Sequence, residues 1–388
     1  MPHSTLPHAP HYVPAPGAKE DLDYADLAVI DLAKASTPAG RTELASEVKA
    51  ALLEHGFFYV INHGYSQTQT ERMFDIADVP FSGVPEEEKQ VYAGTMKQTG
   101  SYQGYKLRQY WHIDAGVFDQ LEHYNVNRDI TKRAHPEALR PFLPEIKEFA
   151  RHNHYDILHP ILRLIALSLE LPEDALVDIH RYDAVGETYG RSLNIPITVL
   201  SSAHYRPRNR YLPVRFMKYY PRSEEEEQKT GNVWLKGHTD FGSITILWSQ
   251  PVAALQIQTR DGNWRWIRHV ENALVVNAGD ALDFLTGSFY KGTIHRVVQP
   301  PLSQQAYTRL GLFYFVMPDD AVKLIPLSES PVLQRAGIHR RCADADAPTM
   351  EEWRRARTSA YGQSELKKTA EEGVEEEVIN GVVVRHYN

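Results

Sequence analysis

The sequence predicts an α+β protein with a mainly β core, flanking helices and an N-terminal mixed α/β segment. Three observations predict this class. Strand-like and helix-like runs alternate near the start, apolar residues at helical spacing fill the middle, and short β-rich runs separated by Gly, Pro, Asp and Asn follow from residue 214. Regularly spaced short strands of this kind are typical of an antiparallel barrel or sandwich.

The first sixty residues are expected to alternate strand and helix. Residues 1–20 are rich in Pro and His and predict a disordered tail. A β-branched apolar run predicts a strand over 27–32, and apolar residues at helical spacing predict an amphipathic helix over 42–55. Gly56 is placed to end that helix, and aromatic and β-branched residues predict a buried strand over 57–61.

Changes in composition divide the chain further. An N-terminal region over 21–130 precedes a helical segment over 131–189, and residues 190–213, with three prolines and four arginines, predict an irregular loop or insertion. A capping-box pattern over 349–352 predicts a helix through Ser359, and we expect residues 331–388 to form a C-terminal helical extension. The β core spans 214–330, and its candidate strands are 214–219, 243–248, 255–259, 264–268, 273–277, 294–299 and 309–316.

Composition restricts the class of protein. The 388 residues carry 42 Lys and Arg against 50 Asp and Glu, a net charge of −8, which is the wrong sign for a partner of nucleic acid or of an anionic membrane surface. The single cysteine, Cys342, cannot form an internal disulfide or a Cys-based metal site, and it fits a cytoplasmic location. A metal in this chain would be held by His and carboxylate side chains.

The sharpest motif is Gly-His-Thr-Asp-Phe-Gly over 237–242. His238 and Asp240 are two positions apart, so their side chains point to the same side of an extended chain. His295, at the start of a later candidate strand, can complete a three-ligand cap that leaves half of the coordination sphere open. Two imidazoles and one carboxylate suit non-haem Fe(II), and the open positions can take a chelating cosubstrate and O2.

Arg309 stands in an otherwise apolar candidate strand. A guanidinium group without a partner would be costly there, so Arg309 predicts an anion. A dicarboxylate that chelates iron with one end and forms a bidentate pair with Arg309 at the other would supply that anion.

Taken together, these motifs resemble the isopenicillin N synthase-like branch of the Fe(II)/2-oxoglutarate dioxygenases. The resemblance covers most of the chain, because the block from Val29 to Gly64 resembles the N-terminal domain of that family and Lys218-Tyr219-Tyr220-Pro221 resembles its Asn-Tyr-Tyr-Pro strand. It implies a double-stranded β-helix, or cupin-like jelly roll, with Fe(II), 2-oxoglutarate as cosubstrate, and O2.

The resemblance also assigns residues. It implies that His238, Asp240 and His295 are the iron ligands, and that Arg309 and Tyr220 contact the cosubstrate. Two positions depart from the family pattern: Gly311 stands where the family has the serine of Arg-x-Ser, and Lys218 replaces an asparagine. Since Lys218 and Tyr220 share one face of a strand, we expect Lys218 to be the residue that compensates for the missing serine.

The activity implied is hydroxylation, desaturation or cyclisation of a small organic substrate in specialised metabolism, with release of succinate and CO2. Two alternatives remain open: an iron oxidase that does not use 2-oxoglutarate, and a non-catalytic binding protein on the same fold. The sequence predicts neither the substrate nor the oligomeric state.

Alternative roles also remain open for single residues. His238, Asp240 and His295 could each be hydrogen-bonded to other groups without sharing a metal, and Arg309 could form an ion pair with Asp283. Four aromatic residues are equally compatible with substrate contact and with ordinary packing: Tyr102, Tyr105, Trp111 and Phe118.

Overall fold

The computed structural model describes residues 6–127, 129–183, 213–371 and 373–387. Two large sheets form its centre, and helices cover them. The first sheet has the strand order β1-β2-β12-β9-β14-β7-β6-β3, the second has the order β11-β10-β13-β8-β17-β16-β15, and β4 and β5 form a separate hairpin. The predicted α+β class with a mainly β core is confirmed.

The strands, in chain order, are β1 Val29–Asp31, β2 Phe57–Ile61, β3 Gly104–Lys106, β4 His112–Asp114, β5 Val117–Phe118, β6 Leu121–Asn127, β7 Pro213–Tyr219, β8 Val233–His238, β9 Ile244–Trp248, β10 Leu255–Gln258, β11 Trp264–Trp266, β12 Leu274–Ala278, β13 His295–Val298, β14 Arg309–Val316, β15 Lys367–Lys368, β16 Val374–Ile379 and β17 Val382–Tyr387. Apart from the parallel pair β1–β2, the strand pairs in the described parts of the chain are antiparallel.

The α-helices are α1 Pro38–Glu54, α2 Gln67–Ser82, α3 Glu86–Val91, α4 Met96–Thr99, α5 Leu143–His152, α6 His159–Ser168, α7 Glu224–Lys229, α8 Asp280–Leu285, α9 Pro331–Ala336 and α10 Met350–Ala360. A π-helical turn over Asn153–Leu158 joins α5 to α6. None of the helices in the described ranges is both long and apolar enough to cross a bilayer.

The front of the chain folds largely as its pattern predicts. The Thr37 side chain caps α1 by accepting a hydrogen bond from the Gly40 amide at 3.1 Å. Gly56 follows the end of that helix with φ +66°, a left-handed conformation in which a Cβ atom would also collide with Thr293. The chain then enters β2, which pairs with β12 inside the first sheet, so the buried strand over 57–61 is confirmed.

The prediction of a disordered tail is wrong for residues 6–20, which lie against α2 and the 3-10 turn Leu302–Gln304. Arg72 donates to the Pro7 carbonyl at 2.6 Å, the Tyr12 amide donates to Asp75 at 2.8 Å, and the Tyr12 ring stacks on Phe74 at 6.3 Å between centroids. Side chains of α2 thus satisfy backbone groups that the Pro-rich segment cannot pair within itself.

Helices α9 and α10 lie within the predicted C-terminal helical extension, but the chain after them forms strands rather than helices. The acidic stretch forms β16, which pairs with β17, and Tyr387 of β17 pairs with Gly237 beside the His-x-Asp motif. Lys236 forms a salt bridge of 2.6 Å with Glu375, one of the acidic side chains of this stretch. The C-terminus therefore extends the second sheet. The predicted loop over 190–212 lies outside the described residues, and Pro213 begins β7.

Candidate active site

A cavity lies between the two sheets and encloses about 810 Å³ of space, part of it open to solvent. The first sheet contributes Tyr219 and Arg309 to its wall, and the second sheet contributes His238 and His295. The two histidines are directly opposite each other in the β8–β13 ladder. Strand pairing therefore brings together residues that are far apart in the sequence.

The three residues of the predicted iron site converge in this cavity. His238 ends β8, His295 begins β13, and Asp240 lies in the loop that follows β8. The Nε2 atoms of the two histidines are each 3.9 Å from Oδ1 of Asp240, and the three candidate ligand atoms lie within 4.8 Å of one another. This spacing is compatible with one shared metal ion.

The remaining ring nitrogen of each histidine is bound by backbone. Nδ1 of His238 lies 2.8 Å from the Lys236 carbonyl oxygen, and Nδ1 of His295 lies 3.0 Å from that of Thr293. Because a carbonyl only accepts, each Nδ1 carries the proton and each Nε2 has a free electron pair. Burial, with the neighbouring His295, lowers the pKa of His238 to about 3, which keeps that imidazole neutral.

Asp240 is also oriented by its neighbours. Its Oδ2 accepts hydrogen bonds from the Thr245 hydroxyl at 2.6 Å and the Asn277 amide at 3.0 Å, which leaves Oδ1 toward the histidines. Burial alone would raise the pKa of Asp240, but the imidazoles of His295 and His238 and these two hydrogen bonds hold it below its usual value. Two neutral nitrogens and one carboxylate oxygen on one side of a centre are the donor set that Fe(II) takes in facial sites, so the residues present fit that ion.

A second group of contacts fixes the loop between the ligands. The Thr239 hydroxyl donates to Asp280 at 2.8 Å, and the Asp280 amide donates to the Asp240 carbonyl at 2.7 Å. Arg357, from α10, donates to the Thr239 carbonyl at 2.9 Å. Arg357 was not predicted from the sequence, because 118 residues separate it from Thr239.

Arg309 begins β14 and is 3% exposed. None of the described carboxylates lies within 4.0 Å of its guanidinium, and its Nε is buried without a hydrogen bond among the described residues. Asp283, the alternative partner, instead accepts from the Ser288 hydroxyl at 2.7 Å and the Gly292 amide at 3.0 Å. An ion pair between Arg309 and Asp283 is therefore not formed, and burial lowers the pKa of Arg309.

The expected roles of Lys218 and Tyr220 need correction. Strand alternation turns Lys218 of β7 and Tyr220, the residue after β7, away from the cavity. Lys218 binds Asp78 at 2.7 Å, and the Tyr220 hydroxyl donates to Glu122 at 3.2 Å. Tyr219 lines the cavity instead, and its ring centroid lies 5.5 Å from the Arg309 guanidinium. A one-residue difference in strand phase separates the predicted tyrosine from the one in the site.

Gly311 shares the inward face of β14 with Arg309 and Phe313. A Cβ atom on Gly311 would lie 2.5 Å from the Phe313 ring, which covers the position where the family serine would stand. Phe313 in turn stacks on Phe315 at 5.6 Å between centroids. An aromatic wall thus occupies this position, and the compensation expected from Lys218 is wrong because Lys218 faces away.

The four candidate aromatic residues divide evenly. Tyr102 and Trp111 line the cavity, whereas Tyr105 donates to the Pro80 carbonyl in the core at 2.8 Å and Phe118 is 44% exposed. Among the cavity residues that the sequence reasoning missed are Arg215, Arg357 and Tyr361.

Comparison with known proteins agrees with this geometry. Residues 27–145 match the family model described as the N-terminal part of the non-haem dioxygenase in morphine synthesis. Residues 209–318 match the model of the 2OG-Fe(II) oxygenase superfamily. Together the two matches span more than half of the chain, including each of the three candidate metal ligands.

Curated relatives extend the match. Jasmonate-induced oxygenase 3 of Arabidopsis thaliana is 27% identical over 349 residues, which cover 84% of this chain and 83% of the relative. The 2-oxoglutarate-dependent dioxygenase tropC of Talaromyces stipitatus is 27% identical over 278 residues, which cover 69% of this chain and 78% of the relative.

Solved structures show the same fold. A full-length Neurospora crassa protein in complex with alpha-KG and 5-formyluracil superposes with a TM-score of 0.68 at 21% identity, over 88% of this chain and 99% of that chain. JOX2 in complex with 2OG, Fe and JA gives a TM-score of 0.58 at 21% identity, over 81% of each chain. These neighbours support the jelly-roll fold. The chain therefore belongs to the isopenicillin N synthase-like 2OG-Fe(II) oxygenases, and it is a dioxygenase that uses Fe(II), 2-oxoglutarate and O2.

Proposed function

We propose that this dioxygenase hydroxylates, desaturates or cyclises a small organic molecule in specialised metabolism. In the hydroxylation case, 2-oxoglutarate, O2 and the substrate become succinate, CO2 and the alcohol, with one oxygen atom in succinate and the other in the product. We place the enzyme in the cytoplasm, which the single cysteine supports. We also infer that the two sheets form a double-stranded β-helix, which the pairing order supports.

His238, Asp240 and His295 would hold the iron. The observation that carries the proposal is that the other polar atom of each ligand already has a partner, so one donor atom of each remains directed to a common point. When bound, Fe(II) supplies the activation of O2 that couples decarboxylation of 2-oxoglutarate to oxidation of the substrate.

Arg309 would bind the distal carboxylate of 2-oxoglutarate. Its guanidinium is buried at the cavity wall, and the described residues offer it no carboxylate. A bidentate ion pair with the cosubstrate would offset the cost of burying that charge. Tyr219, next to it, has a hydroxyl group with no hydrogen-bond partner among the described residues and can donate to the same carboxylate.

The aromatic wall would orient the substrate and exclude water. Trp111, Tyr102 and Tyr361 line the cavity, and the Tyr361 ring lies 5.5 Å from the ring of His238. Which bond of the substrate is oxidised depends on which carbon these rings present to the metal. Hydroxylation, desaturation and cyclisation therefore differ in substrate placement rather than in the metal ligands.

Two measurements test the proposal. Succinate formation that requires both Fe(II) and 2-oxoglutarate separates this enzyme from an iron oxidase that draws its electrons from the substrate alone. Failure to bind Fe(II) would favour a non-catalytic binding protein. Comparison of the metabolites of cells with and without the gene would then identify the substrate, because an oxidised product should disappear and its precursor should accumulate.

A further inference from the structure

The cavity wall presents many hydrogen-bond donors and few acceptors. Its described lining includes three arginines and three tyrosines but one carboxylate, that of Asp240. The proposed function uses Asp240 as a metal ligand, and Thr245 and Asn277 already donate to its other oxygen. An ammonium group would therefore meet no further carboxylate in the described part of the wall, whereas an oxygen acceptor would be matched by it.

The guanidinium groups of the wall already have partners. Arg309 is assigned to 2-oxoglutarate. Arg357 lies 3.6 Å from Asp280, and Arg215 donates to the Asn125 side-chain oxygen at 2.6 Å. The donors to consider for an organic substrate are therefore the phenol hydroxyls.

Tyr361 is the phenol beside the metal ligands. It is the first residue after α10, and its ring lies edge-on to His238 at 5.5 Å and to Trp111 at 5.0 Å between centroids. Its hydroxyl has no hydrogen-bond partner among the described residues. A molecule bound next to the metal site can therefore accept a hydrogen bond from Tyr361.

The segment that carries Tyr361 is held in place on both sides. The Tyr361 amide donates to the Arg357 carbonyl at 3.0 Å. A Cβ atom on Gly362 would lie 2.5 Å from Trp111, and the Gln363 side chain donates to the Tyr110 carbonyl at 2.8 Å. These contacts hold the Tyr361 ring against the cavity wall, which reduces the entropy lost when a ligand binds there.

The other two phenols of the wall lie close to that of Tyr361. Burial raises the pKa of Tyr361 well above its usual value, and Tyr102 and Tyr219 raise it further, so the Tyr361 hydroxyl keeps its proton and is a donor. Tyr219 adjoins Arg309 and is assigned to the cosubstrate, while Tyr102 stacks on Phe241 at 6.3 Å between centroids. Tyr361 is thus the phenol placed to meet a substrate at the metal.

We propose that the organic substrate is an uncharged molecule with a carbonyl oxygen on a ring system, and that the Tyr361 hydroxyl donates a hydrogen bond to this oxygen. The rings would pack on Trp111 and Phe241, which line the same cavity. This hydrogen bond would place the carbons next to the carbonyl group beside the metal ligands. The inference rests on the proposed function, because it takes Asp240 as a metal ligand and Arg309 as the cosubstrate site.

Calorimetry on the enzyme loaded with Fe(II) and 2-oxoglutarate, without O2, tests the inference. The probes share one skeleton: 1-indanone carries the carbonyl group, indane lacks it, 1-aminoindane is a cation and indane-1-carboxylate is an anion. We expect 1-indanone to bind more tightly than either ion. Tyr361→Phe should weaken the binding of 1-indanone several-fold, as expected for one lost hydrogen bond, and leave that of indane unchanged.

The carbonyl stretching frequency of bound 1-indanone gives a signature that a structural role alone would not produce. Donation from a phenol lowers this frequency, so we expect it to rise in Tyr361→Phe. In the wild type it should lie below that of 1-indanone in hexane, which tests the inference even if the variant does not fold. Tyr307→Phe is the control, because Tyr307 is 41% exposed and lies outside the cavity, and it should change neither the affinity nor the frequency.

Several results would overturn the inference. They are no binding of 1-indanone, tighter binding of either ion, equal losses for 1-indanone and indane in Tyr361→Phe, and an unchanged carbonyl frequency in that variant. A loss of 1-indanone affinity in Tyr102→Phe but not in Tyr361→Phe would overturn the assignment of Tyr361. Failure of the wild type to bind Fe(II) or 2-oxoglutarate would instead overturn the proposed function.

Discussion

Arg357 of helix α10 donates a hydrogen bond of 2.9 Å to the carbonyl oxygen of Thr239, the residue between His238 and Asp240. The Asp280 side chain accepts a hydrogen bond from the Thr239 hydroxyl, and the Asp280 backbone amide donates one to the Asp240 carbonyl. Helix α10 is therefore connected directly to the residue that lies between two of the three proposed iron ligands. Contacts of this kind orient ligands without touching the metal.

Arg357→Ala should weaken Fe(II) binding by about tenfold, because loss of contacts that orient metal ligands typically costs that much. The measurement is an anaerobic Fe(II) titration of the folded variant. Arg355→Ala is the matched control, since Arg355 lies on the same helix but is exposed and pairs with Glu351 at 3.5 Å. Equal Fe(II) affinity in the two variants would show that α10 does not support the loop.

Arg309→Ala should raise the KM for 2-oxoglutarate roughly tenfold or more, while the KM for the organic substrate changes little. A charge-assisted pair contributes about 1.5 to 3 kcal/mol. Arg309→Lys should recover only part of the loss, because the lysine ammonium lacks the planar fork. Initial-rate kinetics of succinate formation check both variants, and an unchanged KM for 2-oxoglutarate in folded Arg309→Ala would mean that the arginine is structural.

Gly311→Ser should impair the enzyme rather than improve it. The new Cβ would lie 2.5 Å from the Phe313 ring, so the ring, which lines the cavity, must move. Phe313→Ala removes the obstacle, and we therefore expect the double variant to bind 2-oxoglutarate more tightly than Gly311→Ser alone. A double-mutant cycle on 2-oxoglutarate affinity measures this coupling, and strict additivity would contradict the proposed contact.

His180 should make the stability of the protein depend on pH. It is buried, its Nδ1 lies 2.6 Å from the Leu176 carbonyl and its Nε2 lies 2.7 Å from the Ser243 hydroxyl. Burial lowers the pKa of His180 to about 4. In the unfolded chain the pKa of His180 is near 6.5, so the unfolded state takes up the proton first as the pH falls. The contribution of His180 to the free energy of unfolding is therefore complete above pH 6.5 and is lost as the pH falls toward 4.

Urea unfolding of the wild type and of His180→Gln at a series of pH values checks this. The difference in free energy of unfolding between them should shrink by about 2 to 3 kcal/mol from pH 7 to pH 4. His339→Gln, which changes an exposed histidine, serves as the control. A difference that stays constant over this range would contradict the role of His180.

The sequence predicted the local parts of the site better than its long-range parts. His238 and Asp240 are close in sequence, and the alternation of the core strands indicated where His295 would begin a strand. It was harder to predict which side chains of β7 face the cavity, because Tyr219 and Tyr220 are adjacent and a shift of one residue exchanges the two faces of a strand. Only the pairing of Arg309 with Tyr219 decides which tyrosine faces the cavity.

The C-terminal region shows the other limit. The Asn380-Gly381 turn, with φ values of +49° and +76°, is a hairpin signal that the preceding acidic run obscured. The contact of Arg357 with Thr239 leaves no local pattern at all, because it depends on where α10 lies against the second sheet. Such contacts are visible only in the folded chain.

The central claim is that His238, Asp240 and His295 bind the catalytic iron. Measuring the iron content of the purified protein, together with its 2-oxoglutarate-dependent succinate formation, tests this claim most directly. We expect the wild type to bind one Fe(II) per chain, and we expect His295→Ala to lose both the bound iron and the succinate while the protein remains folded. His269→Ala is the control, because His269 lies outside the cavity and binds Ser249 at 2.7 Å. Wild-type iron content and succinate formation in His295→Ala would contradict the assignment of His238, Asp240 and His295 as the metal site.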